Sequence, residues 1–145
     1  MLFIAIKCLH IMTLLLLFSS SLAKNILVAQ TPFNCQLAHW ARIADRASGA
    51  AAGLAVLSGL ALVWLSSKGA VFYTTNSLFW LKIALLVVAS GLIIRTKFFF
   101  KQQASVAHQA AVPMPRDIPT ILKFDLASLL VMACLGVMLA SGYFV

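Results

Sequence analysis

Four long apolar stretches constrain this chain more than any other feature of its sequence. Hydrophobic residues make up 63% of the 145 positions and charged residues only 10%, whereas soluble domains are about half apolar and about a quarter charged. A helix of roughly 20 apolar residues crosses a hydrocarbon core about 30 Å thick. The sequence therefore predicts an all-α, integral membrane, up-and-down four-helix bundle in a single domain, 1–145, with helices over about 2–29, 47–66, 77–100 and 119–144.

The first stretch, KCLHIMTLLLLFSSSLAKN, also resembles a cleavable secretory signal peptide, and the positions of the basic residues discriminate between the two interpretations. As a retained first span with its amino end outside, it leaves eight of the eleven Lys and Arg residues on the cytoplasmic side, in agreement with the positive-inside rule. Cleavage after Ala23 reverses that distribution, and the stretch lacks the charged segment that precedes the apolar part of a signal peptide. We therefore expect a multi-pass protein of the bacterial cytoplasmic (inner) membrane with both termini outside.

The net charge of +8 does not indicate a nucleic-acid partner. The basic residues lie at the edges of the apolar stretches, where such residues commonly mark the cytoplasmic side and attract anionic lipid. They form no tract with interleaved aromatic residues, as a nucleic-acid-binding surface would. The lipid bilayer is the expected environment, and nucleic acid is not expected. Three cysteines without a CxxC pair give no zinc or disulfide pattern.

The first helix carries a polar stripe along an otherwise apolar surface. At 100° per residue the stripe occupies an arc of about 140°, and lipid cannot satisfy polar groups, so the stripe should face the other helices. Its members are Lys7, His10, Thr13, Ser20, Ser21 and Lys24. Small residues at helical spacing in the second and fourth helices, among them Gly59 and Gly136, should allow close helix packing.

His10 is the strongest candidate for chemistry within the spans. It lies roughly 12 Å along the first helix, at 1.5 Å per residue, and Lys82 and Met138 enter the bundle at a similar depth from the same side, with Lys7 one turn above His10. The functional interpretation is a cofactor site in which His10 ligates a metal or haem iron, with Met138 within reach, while Lys82 and Lys7 neutralise an anionic group. The structural interpretation is that His10 hydrogen-bonds a neighbouring hydroxyl or carbonyl, and that the two lysines extend to the headgroups.

Acidic residues occur only towards the predicted cytoplasmic side. Asp45 lies next to Arg46, and Asp125 lies close to Lys123 in sequence. Local ion pairs are the simpler explanation for both carboxylates, and a proton-relay role for Asp125 is the alternative. His39 and His108 fall in cytoplasmic segments and are expected to be ordinary interfacial residues.

Three short motifs carry a resemblance to known families: KCLHI at 7–11, LFWLKI at 78–83 and PTIL at 119–122. The stretch from KGAVFYTTNSLFWLK onward resembles an uncharacterised family of small bacterial four-span membrane proteins. More distantly, three features are similar to HemJ-type protoporphyrinogen oxidases and to CopD-like copper-resistance membrane proteins: the KxxH start, the lysine of the third long helix and the Pro-Thr opening of the last.

The resemblance to HemJ implies haem b bound through His10, a second important residue in Lys82, and six-electron oxidation of protoporphyrinogen IX. The HemJ pattern also has an arginine and a further histidine just after the first helix, where this chain reads KNILVAQ. The sequence favours a small non-catalytic or accessory bundle, packed against partner subunits or a second copy. A haem-binding redox protein is the first alternative, and transport of copper or another metal ion is the second.

Overall fold

A computed structural model describes residues 1–105, 111 and 113–142 of the chain. Four of its helices are long and apolar enough to cross a membrane, and a short helix lies between the second and third of them. The helices are α1 (Leu2–Val28), α2 (Cys35–Leu65), α3 (Gly69–Thr75), α4 (Ser77–Ser105) and α5 (Asp117–Ser141). The predicted all-α membrane bundle is confirmed. His108 and the last residues of the predicted fourth span, 143–144, lie outside the described residues.

The four long helices form a ring in which each contacts two neighbours. Helix α1 packs against α2 and α5, and α4 packs against the same two helices from the opposite side. Successive long helices run in opposite directions, so the bundle has two distinct ends. We call the end at which α1 starts, α2 finishes, α4 starts and α5 finishes the terminal end, and the opposite end, which carries eight of the Lys and Arg residues, the basic end.

Helix α2 begins at Cys35, well before the predicted start near Ala47. Asn34 explains the early start because its side-chain oxygen accepts a hydrogen bond from the backbone N–H of Leu37 at 2.9 Å and caps the helix. The first turns are amphipathic: Ala38 and Ala41 are buried, whereas Trp40 is exposed. Prediction from hydropathy alone finds the apolar window and misses such an amphipathic extension.

The terminal end is organised around α3, which hydropathy did not predict. Lys68 precedes α3, and its ammonium donates hydrogen bonds to the carbonyl oxygens of Leu139 at 3.2 Å and Ala140 at 3.0 Å. A cation at the carboxyl end of a helix is favourable because the last carbonyls have no partner within the helix. The left-handed Gly142, with a φ of 78°, ends α5 beside this contact.

The largest cluster of buried apolar side chains lies at the basic end. It combines residues from α1, the α1–α2 connection, α2, α4 and α5: Val28, Phe33, Ala38, Ala41, Phe100, Ile118 and Leu122. Outside the bundle, large apolar side chains such as Leu57, Val87 and Val137 are at least 65% exposed, as expected for surfaces that face acyl chains rather than water. The packed interior therefore fixes the helices most firmly at the basic end.

Candidate functional site

The polar stripe of α1 faces the interior, as predicted, over most of its length. Thr13, Ser20, Ser21 and Lys24 are buried, and His10 is half-buried. Lys7 is the exception because its side chain is exposed at the terminal end. The stripe divides into two groups of contacts, one around His10 in the terminal half and one around Lys24 in the basic half.

His10 is held against α2 by one of its two ring nitrogens. Its Nδ1 lies 2.9 Å from Oγ of Ser58, and Ser58 Oγ also lies 2.7 Å from the carbonyl oxygen of Leu54. A carbonyl can only accept, so the serine hydroxyl donates to Leu54 and accepts from the Nδ1–H of His10. In the neutral imidazole this arrangement leaves the lone pair on Nε2, which has no hydrogen-bond partner among the described residues.

Two glycines make room for the polar side chains of the terminal half. A Cβ atom placed on Gly59 would lie 3.2 Å from Cε1 of His10, and one on Gly136 would lie 3.3 Å from Nζ of Lys82. The small residues that the sequence identified as packing positions therefore serve the two candidate site residues. An alanine at Gly59 would require the imidazole to shift by a few tenths of an ångström, because its Cβ would lie only 3.2 Å from Cε1.

Lys82 enters the terminal half from α4. Its side chain is half-buried, and its Nζ lies against α5, where a Cβ atom on Gly136 would approach it to 3.3 Å. All three acidic side chains of the chain lie in the basic half, so Lys82 has no carboxylate side chain with which to pair. Met138 is half-buried on α5, in the same turn as Gly136.

The basic half contains a buried polar network that sequence reasoning did not find. The ammonium of Lys24 is 1% exposed; it lies 3.3 Å from Oδ1 of Asp45 and donates to Oγ of Ser48 at 3.1 Å. Ser48 in turn donates to the backbone carbonyl oxygen of Asp45 at 2.9 Å. Asp45 thus pairs with α1 across the helix interface rather than with its neighbour Arg46. A signal was present, since Lys24 belongs to the inward-facing stripe and the chain offers only three acidic partners.

The network continues from α1 to α5. Ser21 donates a hydrogen bond of 2.6 Å to Oδ2 of Asp125, and Asn25 donates to the carbonyl oxygen of Leu122 at 3.0 Å. Asp125 is therefore bound by a hydroxyl from α1, and it makes no ion pair with Lys123 or any other cation in the part of the chain that the structure describes. Together these contacts tie three helices to one another by polar groups.

The described residues contain no group of three or more His, Cys, Asp or Glu side chains that could enclose a metal ion. A closed tetrahedral or octahedral site would require such a group. A metal held by a planar macrocycle differs because the protein supplies only one or two axial ligands.

Comparison with known proteins agrees with the fold. Residues 3–143 match a family described as "Predicted membrane protein (DUF2214)", and the chain belongs to that family because the match covers nearly all of it. No curated protein and no solved structure matches the chain significantly. The similarity to HemJ-type and CopD-like proteins therefore stays a prediction.

Proposed function

We propose that this member of the DUF2214 membrane family is a haem-binding redox protein of the membrane, in which His10 ligates the iron. The observation that carries the proposal is that one ring nitrogen of His10 is hydrogen-bonded and the other is not. Nδ1–H is fixed by Ser58 at 2.9 Å, and the Nε2 lone pair is unused among the described residues. Histidines that ligate metals commonly donate their second ring N–H to a protein acceptor, which sets the tautomer and the ring orientation.

The structural interpretation also predicts a hydrogen bond such as that between His10 and Ser58. This bond alone therefore does not distinguish a ligand-binding histidine from a packing one, and the surrounding groups must be considered. A histidine that served only for packing would be most stable with both nitrogens satisfied or exposed to water, because an unused acceptor in a membrane interior is unfavourable. Nε2 of His10 and Nζ of Lys82 have no hydrogen-bond partner among the described residues, and neither atom is fully buried, so both remain accessible to a ligand. A single ligand that has both a metal centre and an anionic group would give Nε2 of His10 and the ammonium of Lys82 a partner each.

The residues fit haem b in those two respects. Its iron takes an imidazole nitrogen, which is the role of His10, and its propionates suit the half-buried ammonium of Lys82 and the exposed ammonium of Lys7 near the terminal end. Met138, on α5, would be the candidate for a second iron ligand. When bound, haem supplies one-electron redox chemistry; the chain orients its own imidazole through Ser58 and offers positive charge through the lysines.

The proposal is tested by purification in mild detergent from haem-replete cells, followed by a visible absorption spectrum. We expect a Soret band in the wild type that is lost in His10→Ala. His39→Ala is the matched control because His39 is exposed at the start of α2, in the basic half, and its replacement should leave the band unchanged. Ser58→Ala keeps the ligand but removes its orienting partner, and should weaken haem retention about 10- to 100-fold.

Two results would contradict haem binding: a colourless wild-type preparation, or a Soret band that survives in a folded His10→Ala variant. Circular dichroism shows whether that variant has kept its helices. A colourless protein that co-purifies with partner subunits in fixed stoichiometry would instead favour the accessory role. Metal-ion transport, the other alternative, would be favoured by uptake of copper into vesicles that contain only this protein.

A further inference from the structure

The α2–α4 seam at the basic end carries a polar recess that the His10 site does not use. The recess is lined by Arg42 from α2 and by Phe98, Lys101, Gln102 and Ser105 from α4. Arg42 and Lys101 make no hydrogen bond or ion pair with any residue that the structure describes. Two cations, an amide and a hydroxyl thus face one shallow space at the level where a span leaves the hydrocarbon core.

The acidic residues of the chain are engaged elsewhere. Asp45 pairs with Lys24 at 3.3 Å, Asp117 pairs with Arg95 at 2.6 Å, and Asp125 accepts from Ser21. With three acidic side chains in the whole sequence, none remains to neutralise the recess from within the protein. The positive charge of the recess would therefore attract an anion from outside the protein.

The same two helices form an apolar groove deeper in the membrane. It is lined by small and aliphatic residues: Ala52, Gly53, Val56 and Leu57 of α2, and Leu86 and Ser90 of α4. From Arg42 to Ala52 along α2, and from Lys101 to Ser90 along α4, the distance is roughly 15 Å at 1.5 Å per residue. A Cβ atom on Gly53 would meet nothing within 4 Å, so the groove is open there.

We propose that the α2–α4 seam binds an anionic phospholipid, with its phosphate at Arg42 and Lys101 and one acyl chain in the groove beside Gly53. Basic pockets between spans at the membrane surface recognise anionic headgroups, and arginine forms bidentate hydrogen bonds with phosphate oxygens. The exposed Phe98 lies at the boundary between headgroup and chain. A phospholipid can contact both the polar recess and the apolar groove, whereas a soluble anion can contact only the recess.

The test is native mass spectrometry of the intact protein, released from detergent with either phosphatidylglycerol or phosphatidylcholine added. The wild type should retain one phosphatidylglycerol in preference to phosphatidylcholine. Arg42→Gln/Lys101→Gln should weaken that retention about 25-fold, since each basic residue near an anionic surface contributes a factor of about five. Arg116→Gln/Lys123→Gln is the matched control, because it removes the same two residue types at the basic end from outside the seam.

A third variant separates a lipid from a soluble anion. Gly53→Phe leaves every charge in place and fills the groove, so it should reduce retention of phosphatidylglycerol while leaving the fold intact. Equal loss in the two double variants would overturn the site, because the effect would then reflect net charge alone. Equal retention of the two lipids would overturn the headgroup assignment, and full retention by Gly53→Phe would overturn the acyl-chain assignment.

Discussion

The basic and terminal halves of the bundle differ in whether their inward-facing lysine has an acidic partner. In the basic half, Lys24 is 1% exposed, and both an acidic partner and a hydroxyl contact its ammonium. In the terminal half, Lys82 is half-buried, and all three acidic side chains of the sequence lie in the other half. Both lysines lie within spans, where an ionisable group is costly unless it is paired.

The difference indicates which half is complete without a ligand. A buried ion pair that also makes hydrogen bonds offsets its own desolvation and can fix which helices pack together. For the Lys82 ammonium and the Nε2 lone pair of His10, no such compensation is found among the described residues. The basic half therefore acts as a structural clamp, whereas the terminal half is where the proposed ligand would bind.

The largest effect should come from breaking the clamp. Asp45→Ala leaves the Lys24 ammonium buried without its carboxylate, and removal of one partner of a buried ion pair destabilises by about 3–5 kcal/mol. Reversible unfolding in mixed detergent micelles would measure the loss. The double variant Lys24→Met/Asp45→Leu should recover most of it, because neither charge is then buried. A loss below about 1 kcal/mol for Asp45→Ala would show that water reaches Lys24.

The two lysines should respond to the same substitution with opposite signs. Lys24→Met leaves Asp45 without its cation and should destabilise the protein. Lys82→Met removes a charge that no acidic side chain compensates, and should stabilise the haem-free protein by about 1–2 kcal/mol. Unfolding of both variants prepared from haem-deficient cells measures the comparison. Destabilisation by Lys82→Met would reveal a partner for this ammonium within the chain and would weaken the case for a ligand in the terminal half.

The sequence predicted the helices better than it predicted their partners. Hydropathy located all four spans because the bilayer demands long apolar helices, and the inward orientation of the α1 stripe followed from helical periodicity. The pairing of Lys24 with Asp45 did not follow, because it depends on the rotation and depth of α2, and the start of that helix was placed near Ala47 rather than at Cys35. An error of about three turns at one end misplaces the level of every residue near it.

The candidate site shows the same limit at smaller scale. Periodicity and depth suggested that His10 and Lys82 lie close together, and that convergence stays a prediction. The role of Ser58 could not be predicted, since any of several hydroxyls on α2 or α4 was compatible with the spacing. Lys7 is exposed because it lies close to the start of α1, where a long side chain can reach water.

The smallest effect should come from the ion pair at the surface of the basic end. Arg95 and Asp117 are 2.6 Å apart, but their side chains are 70% and 38% exposed, so water and salt screen the attraction. We expect Arg95→Gln to reduce the free energy of unfolding by about 0.5 kcal/mol or less, and less again at high salt. The same unfolding measurement at two salt concentrations checks both statements. A loss of unfolding free energy that is several times larger and insensitive to salt would mean that the ion pair is covered at the basic end. That result would favour an accessory role in which this surface contacts a partner subunit.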